Sequence, residues 1–121
     1  MIKVAVAEDN ASLARVIAEN IELNDGLELL FIAANGVDLL EQVQTKLPDI
    51  ILMDIGMPDM DGFAVARRIK AMLNPPRIIL LSMHNDAVSK KRGAEAGCDA
   101  FVGKEFGWGV LLPVLKTVLE S

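Results

Sequence analysis

The sequence predicts a doubly wound α/β domain: five parallel strands in the order 2-1-3-4-5, alternating with five helices. Three observations carry this. Short β-prone runs and stretches of helical apolar spacing alternate five times along 121 residues. The connections between them are short, as parallel crossover units require. The run Ile50, Ile51, Leu52, Met53 is apolar on both faces, which marks a buried central strand. At 52% hydrophobic, the chain can fill one core and is too short for two domains of ordinary size. One domain over 1–121 is expected.

Residues 2–7, IKVAVA, form the first strand and end at Glu8-Asp9-Asn10. Asn10 or Ser12 can cap a helix over about residues 12 to 24, with Leu13, Val16, Ile17 and Ile21 on one face and Asn24-Asp25-Gly26 as its stop. LELLFIAA is the second strand. Asn35-Gly36 then opens a helix carrying Val37, Leu40, Val43 and Leu47, closed by Pro48. After the central strand, the segment 63–73 places Val65, Ile69 and Leu73 at helical spacing before Asn74-Pro75-Pro76 breaks it. RIILLS is the fourth strand and ends in Ser82. The helix expected over 85–96 is weak, because Gly93 interrupts it and Val88 is its one large apolar residue; Gly97 sits at its C-terminal cap. DAFVG, 99–103, is the fifth strand and runs into Lys104. The last helix, 108–119, holds more apolar residues than one core-facing stripe needs, and Pro113 fits only near its start. That surplus is consistent either with a partner surface or with deeper burial.

Net charge is −5, which disfavours direct nucleic-acid binding by this chain. The cluster Lys90, Lys91, Arg92 reads as a solvated helix face. No stretch of 18 apolar residues occurs, and MIKVAVAEDN runs directly into a strand, so membrane insertion and secretion are not expected and a cytoplasmic location is. The single cysteine, Cys98, reads as a small buried residue in a reducing compartment.

In the predicted topology the winding reverses between strands one and three, and ligands bind at such a point beyond the strands' carboxyl ends. Glu8, Asp9 and Asp54 end those two strands; Ser82 ends strand four and Lys104 ends strand five. Carboxylates on neighbouring strand tips about 5 Å apart repel by about 3 kcal/mol at an effective dielectric near 20. A cation must offset this. Carboxylate oxygens suit Mg²⁺, with Asp9 and Asp54 as direct ligands and Glu8 reaching through water. A divalent ion, an ammonium and a hydroxyl around one carboxylate make a phosphoryl site, with Asp54 as nucleophile and Lys104 and Ser82 on the phosphoryl oxygens. Taken singly, Asp54 could be a turn cap, Glu8 a solvated loop acid, Ser82 a satisfied strand end and Lys104 a surface lysine. Asp59 and Asp61 read as turn and helix-start residues.

These residues, together with the segment Asp54-Ile55-Gly56-Met57-Pro58-Asp59-Met60-Asp61-Gly62 and Phe101 three residues before Lys104, resemble the receiver domains of two-component response regulators along the whole chain. The resemblance implies a flavodoxin-like fold and Mg²⁺-dependent transfer of a phosphoryl group to Asp54 from a sensor histidine kinase or phosphotransfer protein. It also implies a metal site of Glu8, Asp9, Asp54 and the Gly56 carbonyl. Leu81-Ser82-Met83-His84 and the Ala96-Gly97 turn look most like receivers that precede a helix-turn-helix DNA-binding domain, so transcription is the output implied. Two departures stand out. Glu105 follows Lys104 where receivers often carry a cis-linked proline, so a trans bond is expected. Met83 is bulky where a small residue is common, so the phosphoryl lifetime does not carry over from the family.

Switching would follow from Ser82 moving toward the phosphoryl group and Phe101 filling the space behind it, with helix four, strand five and helix five as output surface. A homodimer through the last helix is compatible with its apolar surplus. Other functions fit less well. A phosphatase of the haloacid dehalogenase type would carry a second Asp where Gly56 stands, and would need a cap domain. A flavin carrier would suffer phosphate repulsion from Glu8-Asp9 and lacks tyrosine. A receiver-like module that is never phosphorylated would not need the complete acid and lysine set.

Overall fold

The computed structural model describes residues 1–83, 87–104 and 107–120. The chain alternates β1 (Ile2–Ala7), α1 (Ala11–Glu22), β2 (Leu27–Ala33), α2 (Gly36–Lys46), β3 (Ile50–Asp54), α3 (Gly62–Lys70), β4 (Arg77–Ser82), α4 (Ala87–Glu95), β5 (Ala100–Gly103) and α5 (Trp108–Glu120). The strands form one sheet in the order β2-β1-β3-β4-β5, with every neighbouring pair parallel. The expected order is the observed one.

Alternation along each strand divides the core into two layers. Ala5, Ala7, Ile51, Met53, Ile78 and Leu80 face Leu39, Val43, Phe63 and Ile69 of α2 and α3. Val4, Val6, Ile50, Leu52, Ile79 and Leu81 face Ile17 and Ile21 of α1 and Leu111, Leu115 and Val118 of α5. All five residues of β3 are buried, because helices cover both of its faces.

Of the two expected caps for α1 the structure uses Asn10, while several other helix details depart from the periodicity reading. Asn10 is the cap of α1, accepting from the Leu13 amide. The buried face of α2 is Gly36, Leu39 and Val43, whereas Val37 and Leu47 are exposed. Helix α3 stops at Lys70, three residues short of the expected end, and Leu73 stands 91% exposed. Asn74, at φ 52, turns the chain there into Pro75-Pro76. Pro113 lies in the second turn of α5, not at its start. It removes one hydrogen bond of the early helix, the one its N–H would have made to the carbonyl four residues back, at Gly109.

The apolar surplus of α5 is mostly absorbed by the domain. Trp108, Leu112, Val114 and Leu119 are partly buried against the α1/α5 layer, and Val110 is the large apolar residue left exposed there. In α4, Gly93 is the buried residue and Val88 is exposed. A Cβ on Gly93 would lie 2.9 Å from Leu80 Cδ1 and 3.6 Å from Phe101 Cδ2. The residue that weakens the helix is thus the one that lets it lie close on the sheet. His84, the expected start of the fourth helix at residue 85 and the bond between Lys104 and Glu105 fall outside the described residues.

Candidate functional site

The parallel register sets the acids side by side. β1 and β3 pair through Ala7↔Met53, so Glu8 and Asp54 each follow one of those partners at adjacent strand tips. The Glu8 amide continues the ladder by donating to the Ala33 carbonyl at 2.9 Å. Glu8 is only 1% exposed and Asp54 is buried, while Asp9 is exposed. Glu8 is therefore no solvated loop acid; it is the most deeply buried of the three.

Lys104 arrives from the other side. Asp54 pairs in register with Leu81, Ser82 follows Leu81 and pairs with Gly103, and Lys104 follows Gly103. Its Nζ reaches back over the sheet tip to lie 2.7 Å from Glu8 Oε1 and 3.1 Å from Asp54 Oδ1, with the side chain 11% exposed. The Gly56 amide also donates to Asp54 Oδ1, at 3.1 Å, and the Asn10 amide to Glu8 Oε2, at 3.2 Å.

These contacts shape the electrostatics. Burial pushes the Glu8 carboxyl above its ordinary pKa, and the Asp54 charge adds to the push; hydrogen bonds from Lys104 and the Asn10 amide oppose it. Burial alone would lower the Lys104 pKa, but its hydrogen bonds and charge attraction to Glu8 and Asp54 prevail and raise it. The ammonium is held firmly protonated between two carboxylates.

The donor set fits a hard divalent cation. Glu8, Asp9 and Asp54 each offer a carboxylate oxygen within 4.8 Å of the others. Lys104 neutralises one charge of this cluster and leaves an excess that a cation would balance. Oxygen donors, one of them exposed to water, match Mg²⁺, which keeps part of its hydration shell and takes few protein carboxylates. Gly56 lies beside the cluster: a Cβ there would stand in ordinary contact, 3.8 Å, with both Asp54 oxygens. Ser82 is buried at the end of β4, and Phe101, half-buried on β5, packs against the core beneath α4.

Two features of the surroundings were missed in the sequence. Asp59, read as a turn residue, accepts hydrogen bonds from the Gly36 and Val37 amides of α2 at 2.8 and 3.0 Å. Arg92, read as part of a solvated face, stacks its guanidinium 4.2 Å from the centre of the Phe63 ring and pairs with Asp61 Oδ2 at 3.4 Å. Both contacts join residues more than 20 apart, so local spacing carries no sign of them. Asp61 does start a helix as expected, capping α3 through the Phe63 amide.

Comparison with known proteins agrees with this geometry. Residues 4–116 match the family model of the response regulator receiver domain. A protein-glutamate methylesterase/protein-glutamine glutaminase of Vibrio vulnificus is 35% identical over 106 residues, covering 87% of this chain and 28% of that protein. The chain thus matches about a quarter of the length of that relative. A DNA-binding response regulator of the LuxR family from Staphylococcus aureus superposes with a TM-score of 0.90 at 26% identity, covering 98% of this chain and 99% of that one. The BeF3-activated receiver domain of DrrB does so at 0.87 with 28% identity, covering 100% and 99%. The chain belongs to the response regulator receiver domain family.

Proposed function

We propose that the domain, spanning 1–121, is a phosphorelay switch whose phosphoacceptor is Asp54. The observation that carries this reading is Lys104 bridging Glu8 and Asp54 at the mouth of the acid cluster. The donor is a phosphohistidine of a sensor histidine kinase or phosphotransfer protein. An Asp54 carboxylate oxygen forms the new bond to phosphorus as the phosphorus–nitrogen bond breaks, and the histidine nitrogen keeps the electron pair. The product is an aspartyl phosphate.

Glu8, Asp9, Asp54 and the Gly56 carbonyl would hold Mg²⁺. When bound, the ion supplies charge neutralisation for the phosphoryl oxygens. Lys104 is already oriented on Asp54 and follows the incoming group as its ion-pair partner. The Ser82 hydroxyl serves as a hydrogen-bond donor to it. The chain turns over no separate substrate and catalyses only its own phosphorylation and dephosphorylation.

Output would pass through α4, β5 and α5. Ser82 drawn toward the phosphoryl group would vacate space for the Phe101 ring, and Phe101 lies under Gly93 of α4. Transcription is the proposed output, with kinship to a DNA-binding regulator as support and the methylesterase relative as the competing precedent. The chain itself would not bind nucleic acid, and a homodimer through α5 would assemble on phosphorylation. Among the described residues no helix is long and apolar enough to cross a membrane, which accords with a cytoplasmic setting.

The test is intact mass after incubation with acetyl phosphate, with and without Mg²⁺, on the wild type and on Asp54→Ala. A Mg²⁺-dependent gain of one phosphoryl group that the variant lacks is expected. No gain in the wild type would leave an interaction module with a receiver fold. Amide exchange in α4 and α5 that is identical with and without beryllium fluoride would sink the switching scheme alone.

A further inference from the structure

The loop between β3 and α3, residues 55–61, carries Gly56 and is fastened at several points. At its start the Ile55 amide donates to the Leu81 carbonyl and the Gly56 amide to Asp54. At its end Asp61 caps α3. Between them Met57 is buried in the core, and Asp59 reaches across to α2.

That last contact is unusually complete. A helix leaves its first amides without partners, and an anionic side chain there also gains from the helix dipole. In α2 the Gly36 amide donates to Asp59 Oδ1 and the Val37 amide to Oδ2, while the Asp38 amide donates to the Asn35 side chain. One carboxylate therefore satisfies two successive amides with both its oxygens. Gly36 makes the approach possible: a Cβ there would stand 3.0 Å from Met60 Cβ and 3.1 Å from its Sδ. Met60 in turn packs against the core below. The start of α2 follows closely on Ala33, whose carbonyl holds the Glu8 amide. The first turn of α2 is thus a common support for the loop carrying Gly56 and for the strand tip carrying Glu8 and Asp9.

We propose that Asp59 is a positioning residue for divalent-cation binding: its paired hydrogen bonds to α2 keep the loop that carries Gly56 in register with Glu8, Asp9 and Asp54. This rests on the reading of Gly56 as a carbonyl ligand. Ligand sets tolerate little displacement, and loss of a residue that orients a ligand typically weakens metal binding by about 10-fold or more. The Gly36 and Val37 bonds also lower the Asp59 pKa, so the carboxylate is the form present at neutral pH.

Calorimetric titration with MgCl₂ tests this on the wild type, Asp59→Asn and Asp59→Ala, with urea unfolding of each metal-free protein alongside. Asp59→Ala is expected to weaken the Mg²⁺ dissociation constant by about 10-fold. Asp59→Asn, which keeps one acceptor oxygen, falls between. The rate of phosphorylation by acetyl phosphate should return to the wild-type value at saturating Mg²⁺, because Asp59 touches no reacting atom. A purely structural Asp59 would lower the urea midpoint and leave the Mg²⁺ constant of the folded protein within about twofold of wild type, which overturns the inference. Should Asp59→Ala fail to fold, the same criterion applies to Asp59→Asn. A wild type that binds no Mg²⁺ is a different failure: it overturns the metal-site reading and this inference with it.

Discussion

Gly62 lies against the backbone of Ile55: a Cβ at position 62 would come 2.6 Å from the Ile55 carbonyl oxygen and 2.8 Å from its Cα. The glycine's φ is outside the left-handed region, so space alone demands it. Backbone atoms leading out of the buried β3 cannot step aside as a side-chain end could. Gly62→Ala should therefore destabilise the domain by about 3 kcal/mol, at the upper end for overpacking. The displaced Ile55 should also disturb Gly56 next to it. Urea denaturation checks the first effect and Mg²⁺ titration the second; an unchanged midpoint would show that the loop yields more easily than this contact implies.

Lys104 is the counter-charge for Glu8 and Asp54, and its removal should act in opposite directions on stability and metal affinity. Lys104→Met leaves two largely buried carboxylates facing each other, a loss of about 3 kcal/mol for breaking a buried pair. A divalent cation then meets more negative charge and less repulsion, so Mg²⁺ should bind more tightly and restore part of the lost stability. Phosphorylation should slow because the ammonium no longer meets the incoming group. Urea unfolding with and without MgCl₂ measures both effects, and weaker Mg²⁺ binding in the variant would contradict the account.

Why was this site readable before the fold was known, when parts of its frame were not? In a parallel sheet every strand ends at the same edge, so Glu8, Asp54, Ser82 and Lys104 were brought together by chain order and apolar runs alone. The helix faces were less determined. Val37, Leu40, Val43 and Leu47 make the fuller apolar stripe in α2, yet packing buries Gly36, Leu39 and Val43 and leaves Leu40 only partly buried against the same core. Leu73 kept the period of α3 beyond the point where the Pro75-Pro76 turn had ended it. Gly93 carried a true signal with two meanings, low helix propensity and close approach, and the second needs the sheet to be seen. Asp59 and Arg92 act across the chain, where no period reaches.

The Arg92 contacts bear on how firmly α4 is held. Its guanidinium stacks on Phe63 and pairs with Asp61, but both charged side chains are about half exposed, so the ion pair contributes little. The stacking contributes about 0.5 to 1 kcal/mol at such a site. Arg92→Gln should therefore cost at most about 1 kcal/mol of global stability. Its larger effect should be local: faster amide exchange within α4, which has few other large side chains on the sheet. Unchanged α4 exchange would mean that Gly93 and its neighbours hold the helix without Arg92.

Cys98 offers a test of electrostatics remote from the phosphoryl site. Burial, and then the charge of Asp99, push its thiol up to about 11 from an ordinary value of 9.0, with Lys70 opposing. Asp99 is fixed there by the Ile78 amide at 2.8 Å and by Lys70 at 3.1 Å, so its charge cannot swing away. Only the thiolate is alkylated, and two pH units of displacement reduce its share about 100-fold at pH 8. The more basic thiolate is also the better nucleophile, which recovers part of this, so iodoacetamide should modify the folded chain about 10 times more slowly than the chain in urea. The same shift links to stability. Because the folded state favours the neutral thiol, this contribution is complete below pH 9.0 and is lost as pH rises through about 11. Lys104, whose pKa is also raised, keeps its contribution below 10.5 and loses it only above. Cys98→Ala should accordingly flatten the decline in unfolding free energy between pH 9.0 and 10.5 while leaving the steeper loss beyond it. A decline that persists unchanged in the variant would assign it to other groups.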